Sequence, residues 1–197
     1  IVDSHTVAVD GKKISAKNIL VATGGWPWIP NYEGSEHVLT SNDVFTMEFL
    51  PSRMLVVGGG YISVEFASIF TRLGCETTLS YRGDQLLRGF DEEIRHFITA
   101  EIGRHVDLRL ETDISKIVKH DKGLRVYFQS GDELEVDAVL SATGRKPLTN
   151  DLGLENVDVE LAANGAIVVN KEFQTNEPSI YAVGDVIDRV ALTPIAL

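Results

Sequence analysis

Three consecutive glycines, Gly58-Gly59-Gly60, follow the apolar run Met54-Leu55-Val56-Val57 and lead into Tyr61-Ile62-Ser63-Val64-Glu65-Phe66. The run is long enough for a buried strand. Beyond the glycines, Ile62, Phe66, Ile69 and Leu73 recur at spacings that predict one apolar helical face. Strand, glycine turn and helix together make an anion site. The backbone can approach a ligand closely at glycine, and the free N–H groups and dipole of a helix N-terminus stabilise negative charge. Gly58, Gly60 and Ser63 match the spacing of the dinucleotide fingerprint, with a small serine where a third glycine usually keeps helix and strand close.

The next strand bears on which dinucleotide. An NAD site usually carries an acid ~20 residues beyond the glycines, where it accepts hydrogen bonds from the ribose 2′-hydroxyl. Here the strand ends Leu79-Ser80-Tyr81-Arg82, without an acid, and Arg88 follows six residues later. A guanidinium pairs with a 2′-phosphate that a carboxylate would repel, so the pair predicts NADP(H). The bland alternative is two solvated surface arginines. Tyr61, directly after the glycines, fits either a core ring or one lying over a bound cofactor. Glu65, one turn on, fits either an exposed helix residue or a functional carboxylate. Gly184-Asp185, after an apolar strand, could set a carboxylate against a sugar-alcohol hydroxyl or form an ordinary turn. The single cysteine, Cys75, reads as a small buried hydrophobe. The histidines at 5, 37, 96, 105 and 120 lack metal-ligand spacing, so no metal is expected.

Around these residues the chain reads as an α/β protein. A hairpin turns at Asp10-Gly11, an apolar strand covers 18–22, and a two-proline linker covers 26–31. Ser41 or Asn42 is expected to cap a short helix running through Phe49. After the strand–turn–helix come a strand over 77–81, and a helix from Asp91 whose buried face is Ile94, Phe97, Ile98 and Ile102. A third parallel strand over 106–110 follows. The order predicts a Rossmann-like, doubly wound parallel sheet. Segments 114–119, 124–129 and 133–136 predict a small antiparallel β-meander, and 138–142, 166–169 and 179–183 further strands. A helix start is expected at Leu192-Thr193-Pro194.

The 197 residues carry a net charge of −11, which argues against a nucleic-acid partner but not against a small anion. No apolar run approaches the ~18–20 residues of a membrane helix. One cysteine fits a reducing compartment, so a cytoplasmic location is expected. The apolar ends, Ile1 and Leu197, suggest a segment of something longer.

Taken in order, Ala22-Thr23-Gly24-Gly25, Gly58 to Glu65, Tyr81-Arg82, Leu87-Arg88-Gly89-Phe90-Asp91, Ala142-Thr143-Gly144-Arg145-Lys146-Pro147, Tyr181-Ala182-Val183-Gly184-Asp185 and Leu192-Thr193-Pro194 resemble the flavin-dependent pyridine nucleotide–disulfide oxidoreductases. The resemblance covers nearly the whole chain and is nearest to the branch that reduces glutathione disulfide. The branch acting on trypanothione disulfide is the close rival, and the short connection Leu73-Gly74-Cys75 counts against it. The resemblance implies that residues 1–23 are the tail of an FAD-binding domain, 24–147 an NADP(H)-binding domain, and 148–197 the start of a central domain returning to FAD. It implies NADP(H) contacts at Gly58, Gly60, Tyr61, Ile62, Glu65, Arg82, Arg88 and Gly144. Tyr61 would be a gate over the flavin, and Glu65 would lie near the flavin and nicotinamide. FAD contacts would fall at Thr23, Gly24, Asp185 and Thr193. The family's redox cysteine pair and its C-terminal dimerisation domain with the catalytic histidine are not in this sequence. It therefore implies no disulfide-reducing residue in this stretch, and homodimerisation only through the longer protein.

Overall fold

The computed structural model describes residues 1–190, so Thr193 and the helix start expected around it lie outside the described residues. The chain divides into two compact units, one of Ile1–Trp26 with residues from Arg145 onward, the other of Pro27–Gly144.

The first unit opens with an antiparallel hairpin of β1 (Thr6–Val9) and β2 (Lys12–Ser15). Asp10 and Gly11 both take positive φ at its turn, which matches the right-handed twist of the flanking strands. Next come β3 (Ile19–Val21) and β4 (Gly25–Pro27). The stretch expected as a plain linker over 26–31 thus begins with strand structure.

The second unit has a 3-10 turn at Ser35–His37 and then α1 (Ser41–Val44), shorter than expected and capped one residue earlier. The Asp43 carboxylate accepts from the Thr40 backbone N–H at 2.7 Å, and Thr40 Oγ1 accepts from the Asn42 N–H at 3.3 Å. This reciprocal capping box makes Thr40, not Ser41 or Asn42, the N-cap. Then follow β5 (Arg53–Val57), α2 (Tyr61–Arg72), β6 (Glu76–Ser80), α3 (Glu92–Ile102) and β7 (Asp107–Arg109). After them come β8 (Ile114–His120), β9 (Gly123–Phe128), β10 (Glu133–Val136) and β11 (Ala138–Ser141). Strands β11, β5, β6 and β7 form a parallel sheet in that order, and β8, β9 and β10 the antiparallel meander.

Strand β5 is buried on both faces, which is why it reads as an unbroken apolar run. Met54 and Val56 join Phe66, Ala67, Phe70 and Leu79 in the core under α2. Leu55 and Val57, one residue out of phase, join Ile117, Val126 and Phe128 in the core under the meander.

Two helical faces differ from expectation. In α2 the buried residues are Ser63, Phe66, Ala67 and Phe70, while Ile69 and Leu73 are 48% and 61% exposed. The helix seats on its small residues, because close approach to a sheet favours Ser and Ala at the contact. In α3, Ile98 and Ile102 pack on the core but Ile94 and Phe97 are exposed. The first unit resumes with β12 (Arg145–Pro147), paired with β4, and β13 (Ile180–Ala182), parallel to β3. The strand expected over 166–169 is only an isolated bridge between Leu161 and Ile167. Among the described residues no helix is long and apolar enough to cross a membrane.

Leu79 is fully buried in β6 between β5 and β7. Leu79→Ala is expected to cost about 2–5 kcal/mol, measured by urea unfolding. A second expectation concerns pH. Asp137, just before β11, accepts from the Arg53 backbone N–H at 2.8 Å and its guanidinium at 2.7 Å. The Arg53 hydrogen bond holds the Asp137 carboxyl below its ordinary value. A depressed folded-state pKa means stabilisation that is complete above the unfolded carboxylate value of about 3.9 and lost as pH falls through the folded one. Asp137→Asn should therefore lower stability at neutral pH and flatten its decline below about pH 4; an unchanged pH profile would contradict this.

Candidate functional site

The glycine turn lies at the carboxyl edge of the parallel sheet, where β5 has β11 on one side and β6 on the other. The chain leaves β5 through α2 toward β6, while β11 arrives from the far end of the meander. Such a reversal of strand order opens a crevice beyond the strand ends, the usual ligand position in open α/β sheets.

Each glycine there has its own reason. Gly58 adopts φ +137° and donates its N–H to the Ser80 carbonyl at 2.9 Å. A Cβ on it would meet the Ala142 carbonyl oxygen at 2.3 Å. Gly60 is the N-cap of the twelve-residue α2, which has no side-chain cap and no acid in its first turn. Space around its α-carbon is open. Ser63, fully buried, donates its hydroxyl to the Gly60 carbonyl at 2.7 Å and so ties the first helical turn to the cap. Ile62 is half-buried beside them. The helix therefore presents uncapped N–H groups and a positive dipole end at an open glycine, the geometry that binds phosphate.

The loop after β6 is fastened to this turn. The Leu87 N–H donates to the Gly59 carbonyl at 2.6 Å, and the Leu86 N–H donates to Thr99 Oγ1 at 3.1 Å on α3. Leu86 and Leu87 are buried, whereas Arg82 and Arg88 at the two ends of the loop are exposed, as is Asp84 between them. Arg82 and Arg88 have no ion-pair partner among the described residues. The strand itself ends without an acid at Ser80, whose hydroxyl donates to the Thr112 carbonyl at 3.0 Å. Tyr81, which sequence reasoning passed over, has its ring packed against both Gly59 and Gly83. A Cβ on either glycine would meet the ring at 2.6 Å. The signal in the sequence was glycine at two positions where neither the fingerprint nor a positive φ demands it.

Tyr61 is 46% exposed at the start of α2, and Glu65 is exposed one turn along. Glu65 is thus not a buried carboxylate in need of a partner. Gly144, beyond β11, takes φ +145° in open space, and its carbonyl accepts from the Trp28 N–H at 2.9 Å.

In the first unit, parallel strands β3 and β13 end side by side at Val21 and Ala182. Thr23 donates its hydroxyl to the Leu148 carbonyl at 2.7 Å, and Gly24 accepts from the Leu148 N–H at 2.9 Å. Asp185 opens a 3-10 turn, Gly184–Ile187, and a Cβ on Gly25 would lie 3.5 Å from the Asp185 Cβ. The strand ends thus gather Thr23, Gly24 and Asp185 at one edge. Cys75 is buried, and burial pushes its thiol pKa up, which suits packing rather than nucleophilic chemistry. Among the described residues no group of histidine, cysteine or acidic side chains has the arrangement of a metal site.

Residues 1–197 match the family model described as pyridine nucleotide-disulphide oxidoreductase. A glutathione reductase of Burkholderia cepacia is 46% identical over 194 residues, covering 98% of this chain and 43% of that one. A trypanothione reductase of Trypanosoma congolense is 43% identical over 191 residues, covering 94% and 39%. Among solved structures, the HOCl-induced flavoprotein disulfide reductase RclA from Escherichia coli matches with a TM-score of 0.94 and 31% identity. That match covers all of this chain and 46% of the other. The chain spans less than half the length of these relatives.

The two outer glycines of the turn are separable by mutation. Gly58→Ala, which strains φ and strikes backbone, should lower the urea midpoint markedly. Gly60→Ala should leave the unfolding free energy within ~0.5 kcal/mol of wild type. It should nonetheless weaken dinucleotide binding roughly tenfold or more, because its methyl group occupies the approach to the helix N-terminus. Equal binding by Gly60→Ala and wild type, in isothermal titration with NADPH, would remove the phosphate role.

Proposed function

We propose, from the premise that this chain belongs to the pyridine nucleotide-disulphide oxidoreductase family, that it is the NADP(H)-binding portion of an FAD-containing glutathione-disulfide reductase. The observation that carries this reading is the open, uncapped α2 N-terminus at the sheet crossover, with an acid-free β6 end and exposed Arg82 and Arg88 on a loop fastened to the same turn.

In this reading the α2 N–H groups and Gly58, Gly60 and Ile62 hold the pyrophosphate and its adjoining ribose. Arg82 and Arg88 clamp the 2′-phosphate by charge-assisted hydrogen bonds. Gly144, without a side chain, lets the cofactor run past the end of β11. The half-exposed ring of Tyr61 covers the flavin side of the nicotinamide pocket and excludes water from it until nicotinamide enters. Glu65, one turn further along α2, orients the nicotinamide carboxamide. Thr23, Gly24, Asp185 and Thr193 belong to the flavin side, with Asp185 accepting from a ribitol hydroxyl. When bound, the nicotinamide supplies a hydride and the flavin accepts it.

Disulfide reduction needs a dithiol, and this stretch has one cysteine, buried and with a raised pKa. Residues 1–197 alone should therefore bind NADPH without consuming glutathione disulfide. Turnover belongs to the longer protein, which we propose acts in the cytoplasm as a homodimer. Trypanothione disulfide is the second reading, favoured by the 43% identity to a trypanothione reductase.

The test is cofactor preference. The double variant Arg82→Ala/Arg88→Ala should lose NADPH affinity by roughly ten- to a hundredfold while NADH affinity stays constant. Unchanged NADPH affinity would overturn the assignment. In the longer protein, NADPH oxidation on addition of glutathione disulfide, and not of trypanothione disulfide, decides the substrate.

A further inference from the structure

The arginine loop touches the glycine turn at one residue, from both of its ends. Gly59 occupies the unconstrained second position of the fingerprint, and its φ is not positive. What forbids a side chain there is the Tyr81 ring, whose Cδ1, Cδ2 and Cε1 would lie 2.6 Å from a Cβ. Gly83 is constrained in the same way, toward the outer end of the ring, with Tyr81 Cε1 at 2.6 Å, Cζ at 2.9 Å and the hydroxyl at 3.1 Å. The ring thus lies against two bare α-carbons. Its backbone is pinned as well. The Tyr81 N–H donates to the Arg109 carbonyl at 2.9 Å, and its carbonyl accepts from the Thr112 N–H at 3.0 Å. The Gly83 carbonyl accepts from the Glu111 N–H at 3.0 Å. At the far end of the loop, the Leu87 N–H reaches the Gly59 carbonyl at 2.6 Å. Arg82 follows Tyr81 and Arg88 follows Leu87, so each arginine is one residue from an anchor on Gly59.

We infer that Tyr81 is a positioning residue that sets nucleotide selectivity, by locking the loop that carries Arg82 and Arg88 onto the glycine turn through Gly59. The inference rests on the NADP(H) reading of that site. Two long, exposed side chains lose much rotamer freedom on closing around one phosphate. Fixing their backbones against the turn that holds the pyrophosphate leaves less to be lost on binding. Without the ring, the arginines remain but their spacing from the turn is no longer set.

Equilibrium titration of the full chain with NADPH and with NADH tests this. Gly59→Ala and Tyr81→Ala should each reduce the NADPH-over-NADH preference roughly tenfold or more, with NADH affinity within about twofold of wild type. The double variant Gly59→Ala/Tyr81→Ala should be no worse than either single one, because the added methyl enters the space the ring has left. Tyr81→Phe, which keeps the ring, should keep the preference. A merely structural role for Tyr81 would weaken both nucleotides together. The inference is overturned if wild type prefers NADPH and Gly59→Ala retains that preference, or if the losses of the two single variants add. Should Tyr81→Ala not fold, the contrast of Gly59→Ala with Tyr81→Phe decides alone. A wild type without preference for NADPH would instead bring down the NADP(H) reading itself.

Discussion

Everything at the carboxyl edge of the parallel sheet depends on how closely the first turn after β5 approaches its neighbours. At Gly58 the backbone runs so near the Ala142 carbonyl that no side chain fits, and its N–H is committed to Ser80 on the opposite strand. That contact is possible because β5 is clamped on both faces, by α2 through Met54 and Val56 and by the meander through Leu55 and Val57. Burial on two sides holds the strand end still. The dipole of α2 is then aimed from a fixed point, which a phosphate site on a mobile loop would lack.

The parts of this arrangement that rest on local periodicity were legible in the residues. Met54 to Val57 reads as a buried strand, the glycines as a turn, and 114–136 as a meander with Gly and Asp at its corners. The faces of the helices were not. Apolar counting along α2 selects Ile69 and Leu73, yet the helix turns Ser63 and Ala67 to the sheet with Phe66 and Phe70. Hydrophobicity ranks residues by how much they gain from burial, whereas close packing against a sheet selects them by how little room they take. On α3, apolar counting likewise does not separate the exposed Ile94 and Phe97 from Ile98 and Ile102, which pack on the core. Near Ala166 the failure was different, since residues 166–168 pair with 160–162 only around the single Leu161–Ile167 bridge, too short a pairing for a strand.

The site divides in the same way. Gly58, Gly60 and Ser63 announce themselves through spacing alone, because the pattern that marks them is local to six residues. Tyr81 could not be singled out so easily, since its contact with Gly59 joins the ends of two different strands. Glycine in an otherwise permissive position was the only written trace of a ring that occupies the space. Thr23, at the end of β3, donates its hydroxyl to the Leu148 carbonyl, a contact across 125 residues that no local spacing announces.

The division of the chain also bears on the order in which it becomes structured. The unit of residues 27–144 is continuous, while its companion is assembled from the first 26 residues and those after 144. Strand β3 finds its parallel partner β13 only after all of the intervening chain has been made. During synthesis the continuous unit can complete its core while the opening hairpin and β3 wait without a mate. Once formed, that unit shortens the loop separating β3 from β13 to its own two ends, where β4 and β12 pair. The entropy of joining distant segments is then replaced by that of closing a far shorter path, so prior folding of the inserted unit lowers the entropic cost of completing the discontinuous one.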